Sequence, residues 1–448
     1  MSRIINLEQQ LEYKGYWYLP SSPDKKIAGI LTYYPNDKII LELIGCFDDS
    51  IPSLLDIGQE GVIHGKTSDA KDITLLQCHK SVNVNFSADF PIVQYSCNYI
   101  VIGKHINSLD EKAKYWVNCR IPELTLWCYP AALNNHLNIN DKDNSIKDIS
   151  ISLNFNTENN DDIISNVLID DNTSLLLKKD VYYESSEFFL HPQFEQYTYI
   201  EITKQSEVSI NELLSDIRNF ERFISLASFN VVESTDITFY DKDIFQQDEH
   251  RKIYKQIHLI HRYNKLRDNS QQNKNGDFLF KYDTIKDVYP DIIKKWFHIP
   301  SNLYPIRLHL INSLEKKSVW SSVDFLIIIQ AVEGFWWRFR ENEYKIKNSK
   351  SKNDRTSLNT ILTELICEFA DINIFNSICI DIEAVVDSRN YYSHFVEPDK
   401  KPKKLDGWAL IKEAKKLRIL LICCVLSFIG LDNSQIDSIF KKSNCSTI

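Results

Sequence analysis

The hydrophobic period changes once along this chain, and that change decides what it can fold into. Up to about residue 200, apolar and aromatic residues come in short runs: "GYWYLP", "IAGILTYY", "KIILELIGCF", "DITLLQC", "NYIVIG" and "ELTLWCY". Gly, Pro, Asn and Asp separate them. Short runs rich in β-branched and aromatic residues are strands, and their rhythm predicts an antiparallel sandwich or barrel. "LNINDKDNSIKD" and "NTENNDD" are polar loops within it. From about Thr284 the apolar spacing becomes three and four residues, as in "TSLNTILTELICEFA" and "SSVDFLIIIQAVEGFWWRFRENEY". A period-2 face and a 3.6-period face belong to different layers. The fold class that follows is α+β, a β-rich N-terminal domain followed by an all-α C-terminal helical bundle.

The 448 residues exceed one ordinary domain. We divide them at 1–205 (β-rich), 206–310 (mixed to helical) and 311–448 (bundle). "SINE", from Ser209, has the capping-box pattern and predicts a helix start. "RDNSQQNKNGD" (267–277) reads as a polar excursion, and Asp406 as the N-cap of the last long helix.

Charge and cysteine content narrow the function classes. The net charge of -9 gives no global basic field for nucleic acid. It is uneven: residues 311–448 hold 20 Lys+Arg against 18 Asp+Glu, a net of +2, which leaves -11 for residues 1–310. The ten cysteines form no CxxC, and "MSRIINLEQQLEYKGY" lacks the apolar core of a secretory signal, so buried reduced thiols in a cytoplasmic protein are expected. No apolar run is long enough to span a membrane.

Two motifs are rejected. "GVIHGKTSD" is one residue short of a phosphate loop, and a strand rather than a helix is expected to follow it, which makes it a hairpin turn. His258 and His261 point to opposite faces on a strand, which is wrong for one metal; on a helix they could share a face, but no carboxylate or Cys companion sits at ligand spacing. No grouping of His, Cys, Asp and Glu has ligand spacing, so neither a metal nor another cofactor is assigned.

The stretch "VVDSRNYYSHFVEPDKK" holds the remaining chemistry. Arg389 and His394 lie five residues apart at the end of an amphipathic helix. On an ideal helix they stand about 140° apart, so their convergence predicts that the helix ends or bends between them. Histidine exchanges a proton near neutral pH, and arginine forks onto phosphate oxygens. Together they suit RNA scission, in which the 2′-OH attacks the neighbouring phosphorus and the 5′-oxygen leaves. Asn390 would orient the phosphate or the imidazole, and Tyr391 or Tyr392 would stack a base. The structural alternative pairs Arg389 with Asp387 or Glu383 and lets His394 satisfy carbonyls. Spacing alone leaves both open.

"DSRNYYSHF", closing a helix in an all-helical domain, resembles the HEPN ribonuclease family, whose signature is Arg, a polar residue, three further residues, then His. Arg389, Asn390 and His394 match it. "GYWYLPSSPDKKIAGILTYYPNDKIILELIGCF", through Gly15, Trp17, Leu19, Pro20, Gly29 and Gly45, resembles the N-terminal domain of ApeA-like proteins, bacterial anti-phage HEPN proteins. The resemblance implies a C-terminal HEPN bundle and a metal-independent endoribonuclease. It implies a homodimer through that bundle with two Arg–His sets at one cleft. It also implies cleavage of host translation RNA, such as tRNA, in abortive defence once a phage-derived trigger is sensed. The acidic front domain is the candidate sensor. The alternative is a non-catalytic HEPN-type RNA- or nucleotide-binding or dimerisation scaffold. Glu333, one carboxylate amid "FLIIIQAVEGFWW", is a candidate partner for Arg389 if buried. Lys400, Lys401, Lys403 and Lys404 are candidate RNA contacts, with Lys345, Lys347, Lys350, Lys352 and Arg355 as a second cluster. Phe335, Trp336 and Trp337 are adjacent and cannot all face one core, so part of that cluster is a candidate interface or packs on the N-terminal domain.

Overall fold

The computed structural model describes residues 5, 7, 9–35, 37–47, 59–81, 91–129, 132–139, 146–154, 161–184, 193–248, 252–262, 278–315, 321–349, 351 and 355–443. The chain forms two compact units, 1–219 with 233–272 and 220–232 with 273–448. The loop expected over 267–277, and most of "NTENNDD", lie outside the described residues.

The first unit begins with a barrel. Its strands are β1 (Leu11–Tyr18), β2 (Ile27–Tyr34), β3 (Lys38–Ile44), β4 (Gln59–Thr67), β5 (Asp72–Lys80) and β6 (Ile92–Cys97). The ladder runs β5-β4-β1-β2-β3-β6, and β6 returns to β5 through His79–Ser96 and Lys80–Tyr95, closing six strands. Alternation fixes what points inward: Leu31, Tyr33, Leu41, Leu43, Ile63, Ile73, Leu75, Val93 and Tyr95 form the core around Trp17. Trp17 needs glycine beside it. A Cβ on Gly65 would overlap the indole ring, and one on Gly29 would strike the Glu42 carbonyl. The GKT sequence, residues 65–67, forms the last three residues of β4, so the expected hairpin turn is a strand end, away from any helix start.

From β5 the sheet continues outward as an open, antiparallel extension. It uses β7 (Tyr99–Ile102), then β9 (Tyr115–Arg120) after the two-residue β8 (Lys112–Ala113). "ELTLWCY", expected as a strand, is instead the helix α1 (Pro122–Cys128). Proline at its first turn suits a helix start, and Leu124, Trp127 and Cys128 share its buried face. β10 (Leu133–Ile139) and β11 (Ile146–Leu153) form a separate hairpin where a polar loop was expected; residues 140–145 between them lie outside the described residues. β12 (Ile163–Leu168), β13 (Thr173–Glu184) and β14 (Gln193–Lys204) precede the short β15 (Val208–Ser209). After a helix come β16 (Asp236–Gln247) and β17 (Lys252–His261). The extension reads β5-β7-β17-β16-β9-β14-β13-β12. That helix, α2 (Ile210–Ser228), starts with the expected capping box: Glu212 N–H donates to Ser209 Oγ at 3.2 Å, and the Ser209 N–H donates to the Glu212 carboxylate at 2.8 Å.

Histidines give this unit a pH dependence. The rings of His64 and His105 stack with centroids 4.4 Å apart. Burial, then the His64 ring, holds the His105 pKa below its ordinary value. Burial lowers His258 and His261 as well. These side chains fold neutral, while the unfolded chain titrates near about 6.5. As pH falls below that value, the unfolded state takes up protons that the folded state refuses, so stability drops. Urea midpoints measured from pH 7.5 to 5.5 should fall; a midpoint that holds or rises contradicts this.

The second unit is helical. After the turn α3 (Tyr282–Ile285) come α4 (Tyr289–Phe297), α5 (Tyr304–Glu315), α6 (Ser322–Phe339), α7 (Glu341–Lys347) and α8 (Leu358–Glu368). α9 (Ile374–Ser377), α10 (Ile382–His394), α11 (Gly407–Phe428) and α12 (Asn433–Lys442) complete it. α6 and α11 are its central pair, joined by edge-on contacts of Phe335 and Phe339 with Phe428. Phe335 and Trp336 are buried inside the unit, which removes them from any interface, whereas Trp337 is exposed. α6 is apolar nearly all round, so its buried surface exceeds one stripe and takes in both rings. Seven of the nine described cysteines are buried; Cys367 and Cys379 are exposed, contrary to the expectation for all ten, and Cys445 lies outside the described residues. No described helix is long and apolar enough to cross a membrane.

Candidate active site

α10 places the motif. Asp381 caps it by accepting the Ala384 N–H at 3.0 Å. Ala384, Val385 and Ser388 bury one face, which leaves Arg389 half-buried at the rim and His394 exposed in the last turn. The spacing argument required the helix to end or bend between the two residues; instead it runs continuously from Ile382 to His394. The guanidinium is long enough to reach round the helix: Arg389 Nη1 lies 2.9 Å from His394 Nε2. Arginine has no acceptor. His394 Nε2 therefore accepts this bond, and the ring proton sits on Nδ1.

Glu333 holds the other end of the guanidinium. It sits on α6 among Ile329, Val332, Phe335 and Trp336 and is buried. Its Oε2 is 3.3 Å from Arg389 Nη2. Asn390 Oδ1 accepts from Arg389 Nη1 at 3.3 Å. Glu333, Arg389, Asn390 and His394 thus form one connected set. Asp387 and Glu383, the alternative partners for Arg389, bind lysines instead.

Those lysines belong to the segment that returns along α10. Lys401 pairs with Asp387 at 3.2 Å, Lys403 with Glu383, Lys404 with Asp406 at 2.9 Å, and Lys400 with Glu397 at 2.8 Å. All four proposed RNA contacts are therefore matched by carboxylates within the chain. Of the second cluster, Lys345 is buried against Glu341, while Lys350 and Lys352 lie outside the described residues. The buried Ser388 Oγ accepts the Leu405 N–H at 2.8 Å, which fixes the segment to the helix. Tyr392 fixes it again, its hydroxyl 2.5 Å from Asp406 Oδ1 and 3.0 Å from the Leu405 carbonyl. Burial, then the Asp406 hydrogen bond, raises the Tyr392 pKa, and the same bond, with Lys404, lowers that of Asp406. Asp406 opens α11, but its carboxylate is engaged here rather than on the helix N–H groups. Tyr391 has the Lys404 ammonium over its ring at 4.6 Å and Tyr392 edge-on at 4.9 Å.

Sequence reasoning missed Phe395. It caps α10 with φ +51°, in the left-handed region that favours glycine, and is 90 % exposed. An apolar residue directly after the motif histidine, where a helix stops without glycine, was the available signal. Among the described residues no group of three or more His, Cys, Asp or Glu could hold a metal ion.

Comparison with known protein families gives two matches. The family described as ApeA N-terminal domain 1 matches residues 12–296, and the family described as Apea-like HEPN matches residues 326–435. Searches of curated proteins and of solved structures give no match. The first match runs through the barrel and its extension, and the second contains Glu333 and the whole Arg389–His394 set. The chain belongs to the ApeA-like HEPN family, with an ApeA N-terminal domain followed by an ApeA-like HEPN domain.

Proposed function

We propose that this protein is a metal-independent HEPN endoribonuclease that cuts host RNA, with tRNA as the leading class, in bacterial anti-phage defence. The observation that supports this best is the convergence of a half-buried arginine, anchored by a buried glutamate, on an exposed histidine within a matched HEPN domain. Arg389 takes the scissile phosphate by its planar fork and offsets charge developing on it. His394 Nε2 removes the 2′-OH proton once the phosphate draws Arg389 away from it. Attack of O2′ on phosphorus then expels O5′, which takes up a proton. The products carry a 2′,3′-cyclic phosphate and a 5′-OH. Asn390 steers the guanidinium, and Glu333 keeps it aimed.

One histidine cannot serve as base and acid in a single step, so the reading includes a homodimer through the helical unit, whose second His394 protonates O5′. The N-terminal domain senses a phage-derived trigger, and the RNA target places the protein in the cytoplasm. A non-catalytic RNA-binding or dimerisation scaffold is the second reading. One observation favours it: Arg389 occupies the lone pair of His394 that the chemistry needs.

Total cellular RNA incubated with the purified chain, followed by mapping of the new ends, separates the two readings. Arg389→Lys should lose at least about 10-fold, because lysine keeps charge but not the two-pronged fork. Full activity in that variant would reduce Arg389 to a point charge.

A further inference from the structure

The hairpin β10–β11 is built to be covered. Its register pairs Leu133 with Leu153, Asn135 with Ile151, Leu137 with Ile149 and, after a bulge, Ile139 with Ile146. Directly opposed residues share a face, so the aliphatic residues of both strands fall on one side. Asn134, His136, Asn138, Asp148, Ser150 and Ser152 fall on the other. That alternation normally marks a strand pair laid on a core. Yet Leu137, Ile139, Ile146, Ile151 and Leu153 are 45 to 59 % exposed. The two strands form a sheet of their own, and neither pairs with any other described strand. The hairpin leaves the first unit at Ala132, whose carbonyl accepts the Asn154 N–H at 2.9 Å.

A two-stranded hairpin with its apolar face in water is marginal, and an exposed apolar sheet with two open edges invites association. The occupant must therefore accompany the chain at all times, which a transient partner does not. A second copy does. The face also suits self-pairing. Its paired positions, Leu133, Asn135, Leu137 and Ile139 against Leu153, Ile151, Ile149 and Ile146, carry no charge, so a two-fold axis through them brings no like charges together. Five half-exposed aliphatic side chains present on the order of 500 Å², so two copies face to face bury on the order of 1,000 Å², where specific interfaces begin. We infer that the β10–β11 hairpin is a self-association arm, pairing by its apolar face with the same hairpin of a second copy. This interface is separate from the pairing of helical units in the proposed function and does not depend on nuclease activity.

Sedimentation of the full-length chain tests the arm directly. Leu137→Asp with Ile151→Asp should weaken association by about 100-fold or more, as expected from removing two buried aliphatic contacts. The particle mass should halve at concentrations where the wild type is assembled: from four copies to two if the helical units also pair, from two to one if they do not. Thermal unfolding should be unchanged, because the hairpin lies outside the barrel core. If the aspartates prevent folding, Leu137→Ser with Ile151→Ser gives the same readout more mildly. Asn134→Asp with Ser152→Asp, on the polar face, should keep the wild-type mass. The inference is overturned if the folded apolar-face variant retains the wild-type mass, whether the face stays open or a different protein covers it. It is equally overturned if the polar-face variant dissociates to the same extent.

Discussion

His394→Ala should lower RNA cleavage by about 10² to 10⁴-fold, the usual range for losing a general acid–base group, while the fold and assembly persist. The structural part of this expectation is simple. His394 is exposed in the last turn of its helix, and among the described residues its ring is hydrogen-bonded by Arg389 alone. Removing the imidazole leaves no cavity and strands no buried donor. Circular dichroism and sedimentation should match wild type while turnover collapses. Because each site in the proposed dimer uses two histidines, the variant loses both base and acid, which puts the effect toward the upper end. A pure, folded variant that cleaves at the wild-type rate removes His394 from the chemistry.

Glu333→Ala should act on both stability and activity. Glu333 is buried on α6, and its carboxylate faces a guanidinium that is itself largely withdrawn from water. Removing one partner of such a pair leaves the other charge partly desolvated and uncompensated, at a cost of about 3 kcal/mol or more. Arg389 would also lose the anchor that sets its fork. The variant should therefore unfold at lower denaturant and, when folded, cleave more slowly even at saturating RNA. Glu333→Gln, which keeps shape and one acceptor, should recover most of the stability but less of the activity. If the alanine variant keeps the wild-type denaturation midpoint, the pair contributes nothing to stability, and Glu333 is not what holds the arginine.

What the sequence disclosed, and what it hid, follows from the range of the forces involved. The barrel strands were visible because inward residues alternate at short range. Closure of the barrel was not, since β5 meets β6 across the intervening residues only in three dimensions. "ELTLWCY" alternates like a strand, yet Pro122 and the spacing of Leu124, Trp127 and Cys128 make it a helix. The β10–β11 hairpin was masked by its many asparagines and serines: they are the polar half of an alternating pattern, not a loop. In the helical unit, the motif itself was legible. The burial of Glu333 was not, because an all-round apolar helix gives no stripe from which to tell inside from outside. The lysines after the motif looked free because Glu383 and Asp387, which pair with Lys403 and Lys401, lie a full helix segment upstream. Tyr391 and Tyr392 looked like stacking surfaces, but Tyr392 ties down the returning segment and Tyr391 packs against Lys404.

The most direct measurement uses one RNA strand that the wild-type protein cuts at a mapped position, together with the same strand bearing a single 2′-deoxy residue there, both assayed in EDTA. If Arg389 and His394 drive attack by the 2′-OH, the all-ribose strand is cut to a 2′,3′-cyclic phosphate and a 5′-OH, and the deoxy position stays intact. Cleavage of the deoxy position, products bearing a 5′-phosphate, or a chemical step that stops in EDTA would contradict the account.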